Sequence, residues 1–164
     1  MKPLRIFLSS VQKEFAEERA ALRDYLRGDA LMRRCFEVFL FEEVPAADRR
    51  ADSLYLDELD HSDLYLGLFG NRYGFEDADG VSPTQREFER AMQRNIPRFI
   101  FVKGEDDDGR HPRMLALIRQ AGNELIRRRF GTTAELLAAV YAALVGFLEE
   151  RDLIRTGPFD AALC

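Results

Sequence analysis

Cysteine is scarce in this chain. Two residues, Cys35 and Cys164, cannot build a disulfide framework or a zinc site. Histidine is equally sparse: His61 and His111 stand alone, and no metal-ligand spacing includes either. No apolar run approaches the roughly 20 residues that a membrane-spanning helix requires. The opening MKPLRIFLSS lacks the apolar block and small-residue cleavage site of a secretory signal. There is no Gly-rich loop ending in Lys-Ser/Thr and no Gly-x-Gly-x-x-Gly, which argues against a conventional NTPase or dehydrogenase. A basic excess is also missing. With 24 Lys plus Arg against 29 Asp plus Glu, the formal charge is -5, so direct binding of nucleic acid is not expected. What remains is a reduced, cytoplasmic globular chain of 164 residues, 46% hydrophobic and 32% charged.

Short apolar runs alternate with amphipathic stretches. Leu4–Leu8, Phe36–Phe41, Leu64–Phe69, Arg98–Val102 and Leu125–Phe130 read as strands. The third is the most apolar and belongs at the centre of a sheet, and the fifth is polar enough for an edge. Helices are predicted over Val11–Arg27, Ser53–Leu59, Ser82–Arg94, Pro112–Ala121 and Thr132 to about Asp152. Ser9 with Gln12, Ser82 with Gln85 and Thr132 with Glu135 have the spacing of capping boxes, and Pro83 fits a first helical position. Strands alternating with helices imply an α/β fold: a three-layer, flavodoxin-like parallel sheet of order 2-1-3-4-5 with helices on both faces. Residues 1–154 form one domain, and 155–164 read as a tail or linker.

In such a sheet the ligand crevice lies at the carboxyl ends of strands 1 and 3, where strand order reverses. That rule selects the loop after Leu8 and the loop from Gly70 into the helix at Ser82. Glu87 is the candidate catalytic residue. It sits on the second turn of its helix, and helical side chains lean toward the N-terminus, so its carboxylate reaches toward the crevice. The helix dipole favours its ionised form, and an anionic carboxylate beside a dry pocket suits N-glycosidic cleavage. Acidic residues are also common near helix starts for electrostatic reasons alone.

The candidate ligand-binding residues are Ser9, Ser10, Asp63, Arg72, Tyr73, Gly74, Ser82 and Thr84. Ser9, Ser10 and the amides after them can hold ribose or phosphate, although capping the first helix is the simpler role for Ser9. In Gly70–Gly74 the glycines permit close backbone approach, Arg72 can meet an anion and Tyr73 can stack on a base. The same loop also reads as a surface turn with an aromatic plug. Asp63 is either a second carboxylate of the site or the end of the preceding helix. Glu18 and Arg19 read as a solvated or ion-paired helix face. Glu105–Asp108 lacks the alternating ligands of a calcium loop, and no metal site is expected.

Several motifs occur in order: Arg5-Ile6-Phe7-Leu8-Ser9-Ser10, Phe15 with Glu18-Arg19, Ser62–Leu68, Arg72-Tyr73-Gly74, and Ser82-Pro83-Thr84 with Glu87-Phe88 and Ala91. Over about Leu4 to Val102 they resemble the domain-of-unknown-function 4062 family. Gln85 departs from the glutamate that the pattern would favour. The family is similar to TIR domains and nucleoside 2-deoxyribosyltransferases, enzymes with a glutamate on the helix after strand 3. The resemblance therefore implies that role for Glu87, and NAD or another nucleotide as ligand. It also implies a TIR-like signalling or sensor domain of a larger DNA-binding and ATPase-type regulator, with possible self-association. An N-glycosidase, NAD hydrolase or deoxyribosyltransferase-like enzyme is the alternative. One carboxylate without an evident second acid or base tilts the sequence toward sensing.

Overall fold

The computed structural model describes residues 2–46 and 51–155, the backbone alone at 51–53. Of the tail or linker expected over 155–164, residues 156–164 lie outside the described residues. Five strands form one parallel sheet: β1 (Leu4–Ser9), β2 (Phe36–Phe39), β3 (Leu64–Phe69), β4 (Arg98–Lys103) and β5 (Arg127–Phe130). Their order is β2-β1-β3-β4-β5, the order read from the sequence. The helices are α1 (Ala16–Gly28), α2 (Met32–Cys35), α3 (Ala51–Asp60), α4 (Pro83–Gln93), α5 (Pro112–Glu124) and α6 (Thr133–Glu150).

Alternation along the strands divides the core in two. Ile6, Leu8, Leu64, Leu66, Leu68 and Phe101 pack against α1, α2 and α6, with Leu22, Leu26, Leu136, Val140 and Leu144 opposite them. Phe7, Tyr65, Phe69, Ile100 and Val102 face α3, α4 and α5, where Phe88, Ala91, Leu117 and Ile118 meet them. All six residues of β3 are buried, as a strand covered on both faces must be. At the β5 edge, three consecutive arginines stay exposed, which discourages a sixth strand from adding.

The structure changes several local expectations. Helix α1 begins at Ala16, because residues 11–15 turn back first through bonds from the Glu14 and Phe15 amides to the Val11 carbonyl. No side chain caps α1, so the Ser9–Gln12 capping box is absent. Strand β2 is shorter than expected. A single helical turn, α2, precedes it, and a 3-10 turn at Phe41–Glu43 follows. Ser82 does cap α4, accepting from the Gln85 amide at 3.2 Å, but the Gln85 side chain turns to Tyr73 and Glu89 instead of closing a box. The Thr132–Glu135 box is complete.

Of the two expectations for Glu18 and Arg19, a solvated or an ion-paired face, the structure shows the second: both are ion-paired, and both are buried. Glu18 pairs with Lys103. Arg19 grips Glu42 through two bonds of 2.7 Å and also donates to Ser10 Oγ and the Leu8 carbonyl. Burying a guanidinium is tolerable only when its donors are satisfied in this way. Arg110 plays the same part at the other side of the carboxyl edge. Its enclosed side chain donates to the carbonyls of Gly70 (2.7 Å), Asp106 (2.9 Å) and Lys103 (3.1 Å). Arg110→Met would leave those carbonyls without their donor. Chemical denaturation is expected to show a loss of about 3 kcal/mol.

Candidate functional site

The carboxyl edge between β1 and β3 opens on a cavity of about 780 Å³. Its polar lining includes Ser10, Thr84 and Glu87, and its aromatic lining includes Phe41, Tyr55, Tyr73 and Phe75. The parallel order creates this hollow: the chain leaves β1 toward one side and β3 toward the other, so their loops diverge.

Glu87 stands where its helix position predicts. It is half-buried, lines the cavity and accepts a hydrogen bond from Ser9 Oγ at the end of β1. The Ser9 hydroxyl is thus spent on the carboxylate, not on capping α1. Removal from water pushes the Glu87 carboxyl up to about 7, while the Ser9 bond and the nearby Arg19 charge act in the opposite direction. The sequence expectation of a carboxylate held ionised by the helix dipole needs correction. Glu87 is the fifth residue of α4, beyond the first turn where the dipole is felt, and desolvation dominates.

The remaining candidates divide by position. Ser10, Arg72, Tyr73, Gly74 and Thr84 line the cavity with Glu87. Ser9 lies beneath it and touches it only through Glu87. Ser82 is fully buried and serves as the cap of α4. Asp63 is not part of the site. It precedes β3, so it lies at the amino edge of the parallel sheet, where its carboxylate accepts from the Arg5 amide at 2.7 Å. A six-residue strand separates that edge from Glu87, a distance of roughly 20 Å.

Tyr73 is more constrained than a free base-stacking ring would be. It is 2% exposed, its ring stacks on His111 at 5.4 Å, and its hydroxyl donates to Gln85 and accepts from the Ser82 amide. It locks the loop to the start of α4 and leaves only part of its surface to the cavity. The departure at Gln85 therefore has a structural use: the amide oxygen accepts from Tyr73 at 2.5 Å.

Sequence reading missed Glu14 and His111. Glu14 accepts from the amides of Asn71 and Arg72 at 2.6 and 3.0 Å and so clamps the loop after β3. Gly70 makes that approach possible, since a Cβ there would lie 2.2 Å from Glu14 Oε1. His111 caps α5 and faces the cavity beside Tyr73. It enters from the loop after β4, the next loop along the same edge, so extending the carboxyl-edge rule by one strand would have found it. Among the described residues, no group of three or more His, Cys, Asp or Glu side chains could hold a metal ion. Among them, no helix is long and apolar enough to cross a membrane.

Fold and site together define a flavodoxin-like α/β domain with a carboxylate-bearing cavity at its topological switch point. The chain belongs to the family described as "Domain of unknown function (DUF4062)", whose model matches residues 5–145. No curated protein matches the sequence. Among solved structures, the chain is similar to that of the Clostridium botulinum CMP N-glycosidase BcmB. The two are 13% identical, with a TM-score of 0.57 over 85% of this chain and 98% of that one. At that identity the likeness concerns the fold.

Because burial raises Glu87 in the folded chain, the native state holds a proton that the unfolded state releases between about pH 4.5 and 7. Its stabilising contribution is complete below that window and is lost as pH rises through it. Glu87→Gln removes this dependence. Relative to wild type, the variant should gain stability from pH 4.5 to 7 by ~3 kcal/mol, read from denaturation midpoints across that range.

Proposed function

We propose that the domain binds a nucleotide or nucleoside in this cavity and cleaves its N-glycosidic bond at Glu87. The observation that carries the reading is a carboxylate at the floor of an aromatic-walled hollow, held by one hydroxyl and ionising near neutral pH. Such a group is basic enough to react and is ionised often enough at pH 7 to do so.

A Glu87 oxygen attacks the anomeric carbon. The bonding pair of the C–N bond passes to the base nitrogen, and the base leaves and takes up a proton. Water then attacks the same carbon, restores the carboxylate, gives up the balancing proton and yields the free sugar. Aromatic side chains in the wall, Phe41 and Phe75 among them, offer faces for the base. Lys13 and Arg72 also line the cavity and make no ion pair among the described residues, so they are available to a phosphate. The fold shared with a CMP N-glycosidase supports this class of ligand.

A second reading is a sensor domain of a larger regulatory protein that binds such a ligand without turnover. It is favoured by Glu87 being the one carboxylate that lines the cavity among the described residues.

The test is incubation with NAD, CMP and deoxynucleosides. Wild-type chain is expected to release free base, with a rate that rises as Glu87 ionises through pH 7. Glu87→Gln should slow release by at least roughly 100-fold. A ligand-induced rise in Tm without release would transfer the function to sensing. Neither release nor a Tm shift with any of these compounds would overturn both readings. Lys13→Ala combined with Arg72→Ala should weaken binding of CMP more than binding of cytidine, measured by calorimetry, and should flatten its salt dependence.

A further inference from the structure

Tyr65 has no part in the reaction as described, and its burial is costly. The residue is fully enclosed, and its hydroxyl makes no hydrogen bond of ordinary geometry. A phenol whose polar end goes unsatisfied in the core normally gives way to phenylalanine. Its placement explains what keeps it there. Tyr65 stacks with Phe7 and meets Phe88 edge-on, so the ring lies between β1 and α4, one residue from Glu87 along the helix. The ring extends along β3 over Gly67, where a Cβ would come within 2.9 Å of Tyr65 Cε1. Gly67 is in register with Ser9. The gap that Gly67 leaves therefore carries the Tyr65 hydroxyl to the carboxyl edge, beside Ser9 and within the field of Glu87.

We propose that Tyr65 is a positioning residue for Glu87: its buried hydroxyl, unpartnered in this structure, turns to donate to Ser9 Oγ when Glu87 ionises, so that Ser9 donates more strongly to the carboxylate. Ser9 has one proton, which it gives to Glu87, and free lone pairs with which to accept from Tyr65. Donors in series polarise one another, and the effect is larger away from water. The phenol cannot supply charge itself, because burial and the Glu87 charge hold its proton on throughout the neutral range. The other charges that act on the group are Arg19 from α1, toward Glu87, and Arg98 from β4, toward Tyr65. Arg98 is engaged with Glu124 and lies over the Phe88 ring, and Arg19 is engaged with Glu42, so neither replaces the missing donor. The assignment rests on Glu87 being the functional carboxylate but not on turnover.

The experiment is carbon-detected NMR titration of the Glu87 carboxyl in wild type, Tyr65→Phe, Ser9→Ala and the double variant, with no ligand present. Tyr65→Phe keeps the ring and removes the donor. It should raise the Glu87 midpoint by about half to one pH unit, a three- to tenfold change in the ionisation constant. In the Ser9→Ala background the same replacement should shift the midpoint less, because the relay is already broken. Ring packing alone predicts no shift, and an unchanged or lowered midpoint in Tyr65→Phe overturns the proposal. An equal shift in both backgrounds overturns the route through Ser9. If Tyr65→Phe does not fold, the wild type decides: the Tyr65 Cζ resonance should titrate with the Glu87 midpoint and cease to do so in Glu87→Gln, and a flat Tyr65 response overturns the proposal. Absence of base release leaves these outcomes intact. An unmoved titration leaves the glycosidic reading intact, so the two ideas fail separately.

Discussion

The hydrogen bond from Ser9 to Glu87 ties the end of the first strand to the helix that follows the third. It spans the switch point of the sheet, the one place where a parallel α/β fold leaves a hollow that side chains do not fill. A carboxylate half out of water has to be paired, hydrogen-bonded or neutral. Here a hydroxyl and a more distant guanidinium share that duty with partial protonation, and the group keeps access to the cavity. A bidentate arginine partner would have locked the same carboxylate as structure, as happens to Glu42 and to Asp60, whose carboxyl Arg90 and Arg94 hold far below its ordinary range.

Around that bond, buried cations organise the carboxyl edge. Arg19 braces Ser10 and the end of β1, and Arg110 braces the start of the loop after β3. Glu14 completes the frame from the first loop by holding two amides of the third. These contacts are long in sequence and satisfy backbone groups of the loops at that edge. The loops that line the cavity are thereby preorganised, which would lower the ordering cost of binding there.

Much of the architecture was legible. An unbroken apolar run marked β3 as central, three arginines marked β5 as an edge, and the Thr132–Glu135 spacing marked the start of α6. Glu87 was legible because helical geometry alone aims a side chain one turn back. For Arg19 the choice between solvated and ion-paired stayed open, because neither its burial nor its partner Glu42, 23 positions away, shows in the local pattern. Asp63 failed as a site residue because chemical type says nothing about which edge of a sheet a residue occupies. Ser9 was assigned to α1 because its spacing to Gln12 satisfies a cap, and local spacing cannot reveal a competitor arriving from residue 87.

Periodicity, caps and strand composition thus determined the elements, the central and edge strands and the helix that carries the acid, because each depends on neighbours within a few residues or on burial averaged over a strand. The tertiary structure alone decided how that acid ionises. Its environment is assembled from Ser9 and Arg19, on two separate elements, and desolvation is a property of the enclosed space, not of any local stretch of chain.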